Sequence, residues 1–310
     1  MTEAPFHVAP APARNPRLGY LMALAAATLW GANGTVSKVV LVDGLSSLQL
    51  AEVRSAGAFL GLALLARGTL RVRRRELPSL VLFGVGGLAF VQLFYFLAIR
   101  RLEIGIALLI EYLAPLLVAL FARFVLKEDV RRRVWVALAL ALAGLALIVD
   151  IAHGVTLNGL GVAAALAGSV SYAAYVLIAD RAVGDRDTVS LLCLGFGFAT
   201  LFWALVVPWW RFPFHLFGDR ISLLGRLDAW HVHGWLLVAF IVVLGTIVPF
   251  VLLVGALRHL SATRVAIAAM AEPVVATIVA WAWLGEALGP AQLAGGAVVL
   301  AAILLAQTAR

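Results

Sequence analysis

Residues 272–306 read EPVVATIVAWAWLGEALGPAQLAGGAVVLAAILLA, and residues 114–148 read APLLVALFARFVLKEDVRRRVWVALALALAGLALI. Each is an apolar run, a short polar break and a second apolar run. A shift of 158 lays one over the other and aligns Pro115/Pro273, Ala122/Ala280, Leu126/Leu284 and Glu128/Glu286. Carried upstream, the same shift aligns Gly87/Gly245, Ala98/Ala256, Arg100/Arg258 and Leu102/Leu260. Earlier still, a shift of 142 aligns Leu18/Leu160, Gly19/Gly161, Ala25/Ala167 and Ala32/Ala174. Ala and Leu matches are cheap in so apolar a chain. Gly, Arg, Pro and Glu recurring at one offset are not, and they indicate an internal duplication. The two shifts differ by 158 minus 142, or 16 residues, which is extra length in the connection near 210–232.

The composition decides the solvent. Of 310 residues, 64% are hydrophobic and 13% charged, and the mean hydropathy is +1.03. A water-soluble domain carries about 25% charged residues, so a soluble enzyme and a disordered chain are both excluded. A span of about 20 apolar residues crosses the hydrocarbon core as a helix. The apolar runs are continuous rather than alternating, which excludes barrel strands. The spacing predicts ten helices, at 18–42, 47–66, 78–99, 104–126, 133–151, 159–181, 188–209, 233–257, 263–284 and 290–308. The fold expected is an all-α membrane protein. The first apolar run is too long for a signal-peptide core and reads as an uncleaved first span. The connection 210–232, rich in aromatics and His, is an outer loop suited to the membrane interface.

The net charge of +8 comes from basic residues concentrated between apolar runs, so the positive-inside rule accounts for it and nucleic acid is not an expected partner. With the N-terminus inside, inner segments hold sixteen Lys and Arg and outer segments five, which places both termini in the cytoplasm. Five helices per repeat is an odd number. The first repeat (18–151) and the second (159–308) are therefore expected to be inverted. The break around Lys127 to Arg133 is basic; its partner around Gly285 to Pro290 keeps Glu286 and has lost every basic residue, as an outer loop does. Inverted repeats typify secondary transporters that bind substrate near the midplane between the halves. The one cysteine, Cys193, cannot form an internal disulfide.

Four features resemble the EamA type of the drug/metabolite transporter superfamily over nearly the whole chain: the opening LGYLMALAAATLWGAN (18–33), Arg54 in the second span, the mid-span prolines Pro115 and Pro273, and the closing LGEALGPAQLAGGAVVLAAILLA (284–306). The most specific positions are Pro273, Gly285, Glu286, Gln292 and Gly295; the first half departs, with Lys127 where the second has Gly285. The resemblance implies a ten-helix exporter or exchanger of small organic solutes in the bacterial inner membrane, needing no cofactor. Within the superfamily, exporters of aromatic amino acids of the YddG type are the functional relatives it points to. A monomer is the expectation.

Charged groups inside a bilayer cost about 2.5–3.5 kcal/mol each on insertion scales and face the bundle interior. Glu52, Arg54, Glu111 and Glu272 qualify by depth, while Arg123 lies near a span end and can snorkel. Glu52 and Arg54 are two apart, so they point to different faces; each belongs either to a structural ion pair with another partner or to the substrate. Glu111 stands one turn before Pro115, and Glu272 directly before Pro273. Proline removes a donor and its ring crowds the preceding turn's carbonyl, which marks Pro115 and Pro273 as hinges. The plainer alternative is helices kinked for packing, with neutral glutamates. Trp30 and Asn33 share a stripe of the first helix; Gln92 and Tyr95 lie in the third, Tyr112 in the fourth, and Tyr172 and Tyr175 in the sixth. Trp30 and Tyr172 coincide at the shift of 142, so they are expected to face each other. Aromatics normally mark the membrane boundary; these lie deeper and fit a cavity wall, although core packing would use the same residue types.

Such a wall suits an amino acid. Rings stack on an apolar side chain, carboxylates counter an ammonium, and Asn33, Gln92 and tyrosine hydroxyls can bond a carboxylate. A drug, nucleoside or sugar remains an alternative substrate. An intramembrane enzyme is the weaker alternative, since the acids are scattered and no His sits mid-span; a channel is another. No metal site is expected: His215, His231 and His233 of the outer loop lack further ligands at defined geometry.

Overall fold

The computed structural model describes residues 15–66, 70–99, 101, 107, 110–149, 158–183, 186–285 and 289–308. Glu286 and Arg100 lie outside the described residues, as do the side chains of Gln292 and Phe96. The chain is helical nearly throughout: α1 (Pro16–Val42), α2 (Ser47–Leu65), α3 (77–99), α4 (Ala114–Phe124), α5 (Arg132–Val149), α6 (Gly159–Ala182), α7 (Thr188–Val206), α8 (Gly234–Ala256), α9 (Ala262–Leu284) and α10 (Pro290–Thr308). Helix starts carry side-chain caps where the sequence supplies them. Asn15 accepts from the Leu18 N–H, Ser46 and Gln49 form a reciprocal capping box, and Asn158 and Asp187 cap α6 and α7. Among the described residues, six helices are long and apolar enough to cross a bilayer, including α2, α6, α7, α8 and α9. Leu64 and Leu205 are each 89% exposed, a side-chain choice that suits lipid and not water.

Packing pairs α5 with α10, α2 with α7, α3 and α4 with α6, and α8 and α9 with α1. Moving every partner five helices along the chain reproduces the same set of pairs. Glycines let the closest of them approach: a methyl on Gly144 would come 2.8 Å from the Gly295 carbonyl oxygen, between α5 and α10. Gly57 and Gly61 of α2 face Val242 and Ile247 of α8, so that small-residue pair serves packing within the chain.

The helices expected at 104–126 and 263–284 are each interrupted. Turns occupy Tyr112-Leu113 and Met270-Ala271, 158 residues apart, and each lies just ahead of its proline. Tighter i to i−3 bonds replace the regular ladder there: Leu113 N–H to Ile110 O, Met270 N–H to Ile267 O and Ala271 N–H to Ala268 O. Of three π-helical stretches among the described residues, Leu82–Ala89 and Val243–Ile247 end 158 residues apart, while Ala280–Leu284 has no π counterpart at that shift.

The break after α4 repeats the break after α9 in backbone shape. Lys127 has φ 57 and Gly285 has φ 77, so both are left-handed although only one is glycine. The connection between α7 and α8 forms short 3₁₀ turns and one antiparallel pair, β1 (Arg220–Ser222) with β2 (His231–His233). Leu216 and Ile221 seat it on Val36, Val39 and Val40 of α1 and Leu237 and Ile241 of α8. Trp283 of α9 donates its indole N–H to Leu223 O at 2.7 Å. At the opposite end Arg186 pairs with Glu76 and donates to Arg71 O, while Arg258 donates to Arg186 O and Thr188.

Lys127→Gly removes the Cβ crowding of a left-handed residue, a strain of about 1 kcal/mol, and is expected to raise the thermal unfolding midpoint in detergent. Gly285→Ala introduces the same strain and is expected to lower it. The bond from Arg186 holds the Glu76 carboxyl below the usual carboxylate range, opposed by partial desolvation. A depressed folded value means stabilisation present above about pH 4.3, the ordinary glutamate value, and lost as pH falls through the folded value. Acid-induced lowering of the unfolding midpoint is therefore expected to be steeper in the native protein than in Glu76→Gln.

Candidate functional site

The two interrupted helices meet. The hydroxyl of Tyr112, at the turn before α4, donates to Glu272 Oε2 at 2.7 Å, across 160 residues of sequence. Glu272 opens the second part of α9, with Pro273 at its first turn, where a missing N–H costs nothing; Pro115 holds the same place in α4. Both prolines are buried. Gly31 permits the approach of α1: a methyl there would lie 2.9 Å from Glu272 O and 2.8 Å from Ala276 N.

Glu111 ends the helical stretch before the first turn. Its carboxyl lies against Gly168 of α6, where a methyl would come 3.9 Å from Glu111 Cδ and 3.5 Å from Phe94 Cβ. The charge of Glu272 reaches Glu111, and both reach Tyr95, Tyr112 and Tyr172. Arg54 enters from α2. It donates from Nε to Thr246 Oγ1 at 3.1 Å and from Nη2 to Gly245 O at 3.3 Å, both on the π stretch of α8, and its charge reaches Glu272 and Tyr95. One guanidinium, two carboxylates and three tyrosines thus share one region, drawn from α2, α3, α4, α6 and α9.

The remaining candidates separate. Trp30 is 9% exposed and packs edge-on against Phe250 at 5.1 Å; Phe250 meets Tyr175 at 5.6 Å, and Tyr175 meets Tyr172 at 5.9 Å. Trp30 and Tyr172 are therefore linked through two further rings, Phe250 and Tyr175. Tyr175 is 2% exposed and also stacks on Phe83, which makes its ring a core member. Gln92 is buried and spends its amide N–H on Leu88 O of its own helix. Asn33 lies against Gly245, where a methyl would come 2.0 Å from its Oδ1. Glu52 is buried, and among the described residues its Oε2 has no hydrogen-bond partner. No carboxylate lies within ion-pair distance of Arg54 among the described residues; its hydrogen bonds go to neutral oxygen acceptors. Arg123 pairs with exposed Asp129 at 3.8 Å, as an anchor near a span end does.

Phe250, Thr246, Gly31 and Gly168 were not candidates in the sequence. The only sequence signal near them was the Gly87/Gly245 match, which marks the π stretch that presents Thr246.

The sequence profile described as the EamA-like transporter family matches residues 17–150 and again 159–308. The chain belongs to the EamA-like transporter family. As a member of that family it is an integral membrane transporter. An uncharacterized transporter of Archaeoglobus fulgidus is 29% identical over 276 residues, covering 88% of this chain and 91% of that one. The threonine/homoserine exporter RhtA of Escherichia coli strain K12 is 29% identical over 274 residues, 86% of this chain and 82% of that one. A probable terminal-alkyne amino-acid exporter of Streptantibioticus cattleyicolor is 26% identical and covers 84% of each. A solved crystal structure superposes with a TM-score of 0.73 at 22% identity, over 94% of this chain and 99% of that one, which shows a shared fold.

Tyr112→Phe removes the donor to a carboxylate inside the bundle, a loss of about 1–3 kcal/mol, and Gly31→Val drives a side chain into the α9 backbone. Both are expected to lower the unfolding midpoint of this EamA-like protein, Gly31→Val the more; a neutral Gly31→Val would show that α1 does not close on Glu272.

Proposed function

We propose that the protein exports neutral amino acids, aromatic ones among them, by alternating access. It crosses the bacterial inner membrane ten times as two inverted five-helix halves, 18–151 and 159–308, with both termini in the cytoplasm. The substrate sits at the midplane between the halves, and Pro115 and Pro273 are the hinges. The observation that carries this is the Tyr112–Glu272 hydrogen bond, which joins the two interrupted helices beside a second carboxylate. Two carboxyl groups and three tyrosine hydroxyls beside one guanidinium offer several oxygen acceptors to an ammonium group. Tyr95, Tyr112 and Tyr172, with Trp30 behind Phe250, offer ring surfaces to the substrate side chain. The turns, the π stretches and the left-handed residues recurring at 158 support the duplication, and the packing pairs that repeat five helices along support its symmetry. The exporters of threonine and homoserine and of an alkyne amino acid among the relatives support the substrate class.

Helices interrupted at a site are what a rocking mechanism needs, since a turn stabilised by i to i−3 bonds changes direction more cheaply than an intact ladder. Substrate shifts the equilibrium only through contacts that differ between the two states, and Glu111, directly before the turn, moves relative to α6 if the turn bends. The outer connection, with Trp209, Trp210 and Trp230 exposed, lies at the outer membrane interface. The protein works as a monomer, without cofactor or metal, and none of its residues performs an enzymatic step.

Counterflow in proteoliposomes tests this against amino acids, nucleosides, sugars and cationic drugs. Saturable counterflow of a neutral amino acid is expected, and Glu111→Gln is expected to reduce it by about tenfold, the equivalent of about 1.4 kcal/mol. Flux that does not saturate would indicate a channel, and flux confined to another solute class would overturn the amino-acid reading.

A further inference from the structure

Arg54 is partly buried, yet its contacts are to neutral atoms. Nε donates to Thr246 Oγ1 at 3.1 Å and Nη2 to Gly245 O at 3.3 Å. Thr246 is wholly buried and fixed in turn, because its own hydroxyl donates to Ile241 O at 2.8 Å across the π stretch Val243–Ile247. The guanidinium is therefore braced from behind by a threonine and a backbone carbonyl. A guanidinium has five N–H donors in one plane. The two bonds use one on Nε and one on Nη2, and neither uses Nη1. Beside this lies Asn33, 5% exposed, set directly on Gly245, its Oδ1 without a hydrogen-bond partner among the described residues.

A cation taken out of water and given no anion in contact is costly. A structural arginine is usually balanced by a carboxylate at hydrogen-bond distance; here, among the described residues, Glu272 acts only from further off. The geometry matches a fork held in position for an oxyanion that arrives and leaves. The planar bidentate match of guanidinium to carboxylate is the strongest such pairing a side chain offers, and lysine cannot reproduce it.

We propose that Arg54 is the residue that reads the carboxylate of the transported solute, with Thr246 and Gly245 as its positioning groups. The substrate carboxylate accepts from the Nη side of the fork, while Thr246 and Gly245 keep hold of Nε and Nη2. This deepens the transport reading and rests on it: the substrate is a monocarboxylate, and an amino acid is selected over its amide or its decarboxylated amine. Arg54 also pins α2 to α8, so a purely structural role would move stability and leave selectivity untouched.

The test is binding to the purified full chain, followed by tryptophan fluorescence and thermal shift. The probes are L-threonine and L-phenylalanine, their amides, and 3-phenylpropionate, which carries a carboxylate and no ammonium. The native protein is expected to prefer each amino acid over its amide by at least about tenfold, as charge-assisted bonds lost on one partner imply. Arg54→Lys is expected to bring that preference below about threefold, since a point charge replaces the fork, and Thr246→Val to weaken it partially. Equal binding of acid and amide to the native protein, or an unchanged preference in Arg54→Lys, overturns the proposal. If Arg54→Lys does not fold, Thr246→Val decides, and a full preference there overturns it. Arg54-dependent binding of 3-phenylpropionate without binding of amino acids would uphold the carboxylate site and remove the amino-acid reading. Binding of no carboxylate at all would remove both.

Discussion

A helix interrupted inside a bilayer leaves backbone groups that no water can satisfy, and the rest of this structure follows from how that is managed. The turns at Tyr112-Leu113 and Met270-Ala271 each precede a proline, and tighter backbone bonds close them. Tyr112 and Glu272 then bond side chain to side chain across the gap, which ties the two breaks together. Such a pair needs the helices around it at close range, and the small residues provide that: Gly31 brings α1 against the second part of α9, and Gly168 brings α6 against Glu111. The polar residues at the centre are thus a consequence of the broken helices as much as an addition to them.

The same backbone shapes recur with different residues in them. Lys127 occupies the left-handed position that Gly285 occupies in the second copy. A lysine there is explained by what else the segment carries: with Arg131, Arg132 and Arg133 it forms one of the most basic stretches of the chain, and membrane topology rewards positive charge on one side. The extra 16 residues of the second copy form the hairpin cap that ties α1, α8 and α9 at one end. Charge distribution and this cap are where the two copies depart from each other.

Much of this was legible in the sequence. Continuous apolar runs placed most of the helices to within a few residues, because a bilayer tolerates little else; the turns that break the runs at 104–126 and 263–284 were not visible in them. Glu111, Glu272, Pro115 and Pro273 stood out because each is expensive inside lipid and demands a reason. Tyr112 was visible from its place beside Glu111. What stayed hidden depends on rotation about helix axes. Thr246 and Gly245 meet Arg54 because a π stretch turns that part of α8 towards α2, and nothing in VLGTI announces a π turn. Phe250 carried no mark in the sequence, and it joins Trp30 to Tyr175. Tyr175 looked like a cavity residue and is packed in the core on Phe83. Arg54 read either as half of an ion pair or as a substrate contact, and nothing in the sequence showed that its hydrogen bonds go to neutral atoms.

The most direct test of the account concerns the orientation of the two copies. Lys127→Cys and Gly285→Cys, each in a Cys193→Ser background, place one thiol at equivalent points of the two halves. In sealed cells, a membrane-impermeant maleimide is expected to label the cysteine at 285 from outside, and the one at 127 only after the membrane is opened. Labelling of both from the same side would show that the copies run parallel, and would contradict an account in which two inverted halves close on a shared midplane site.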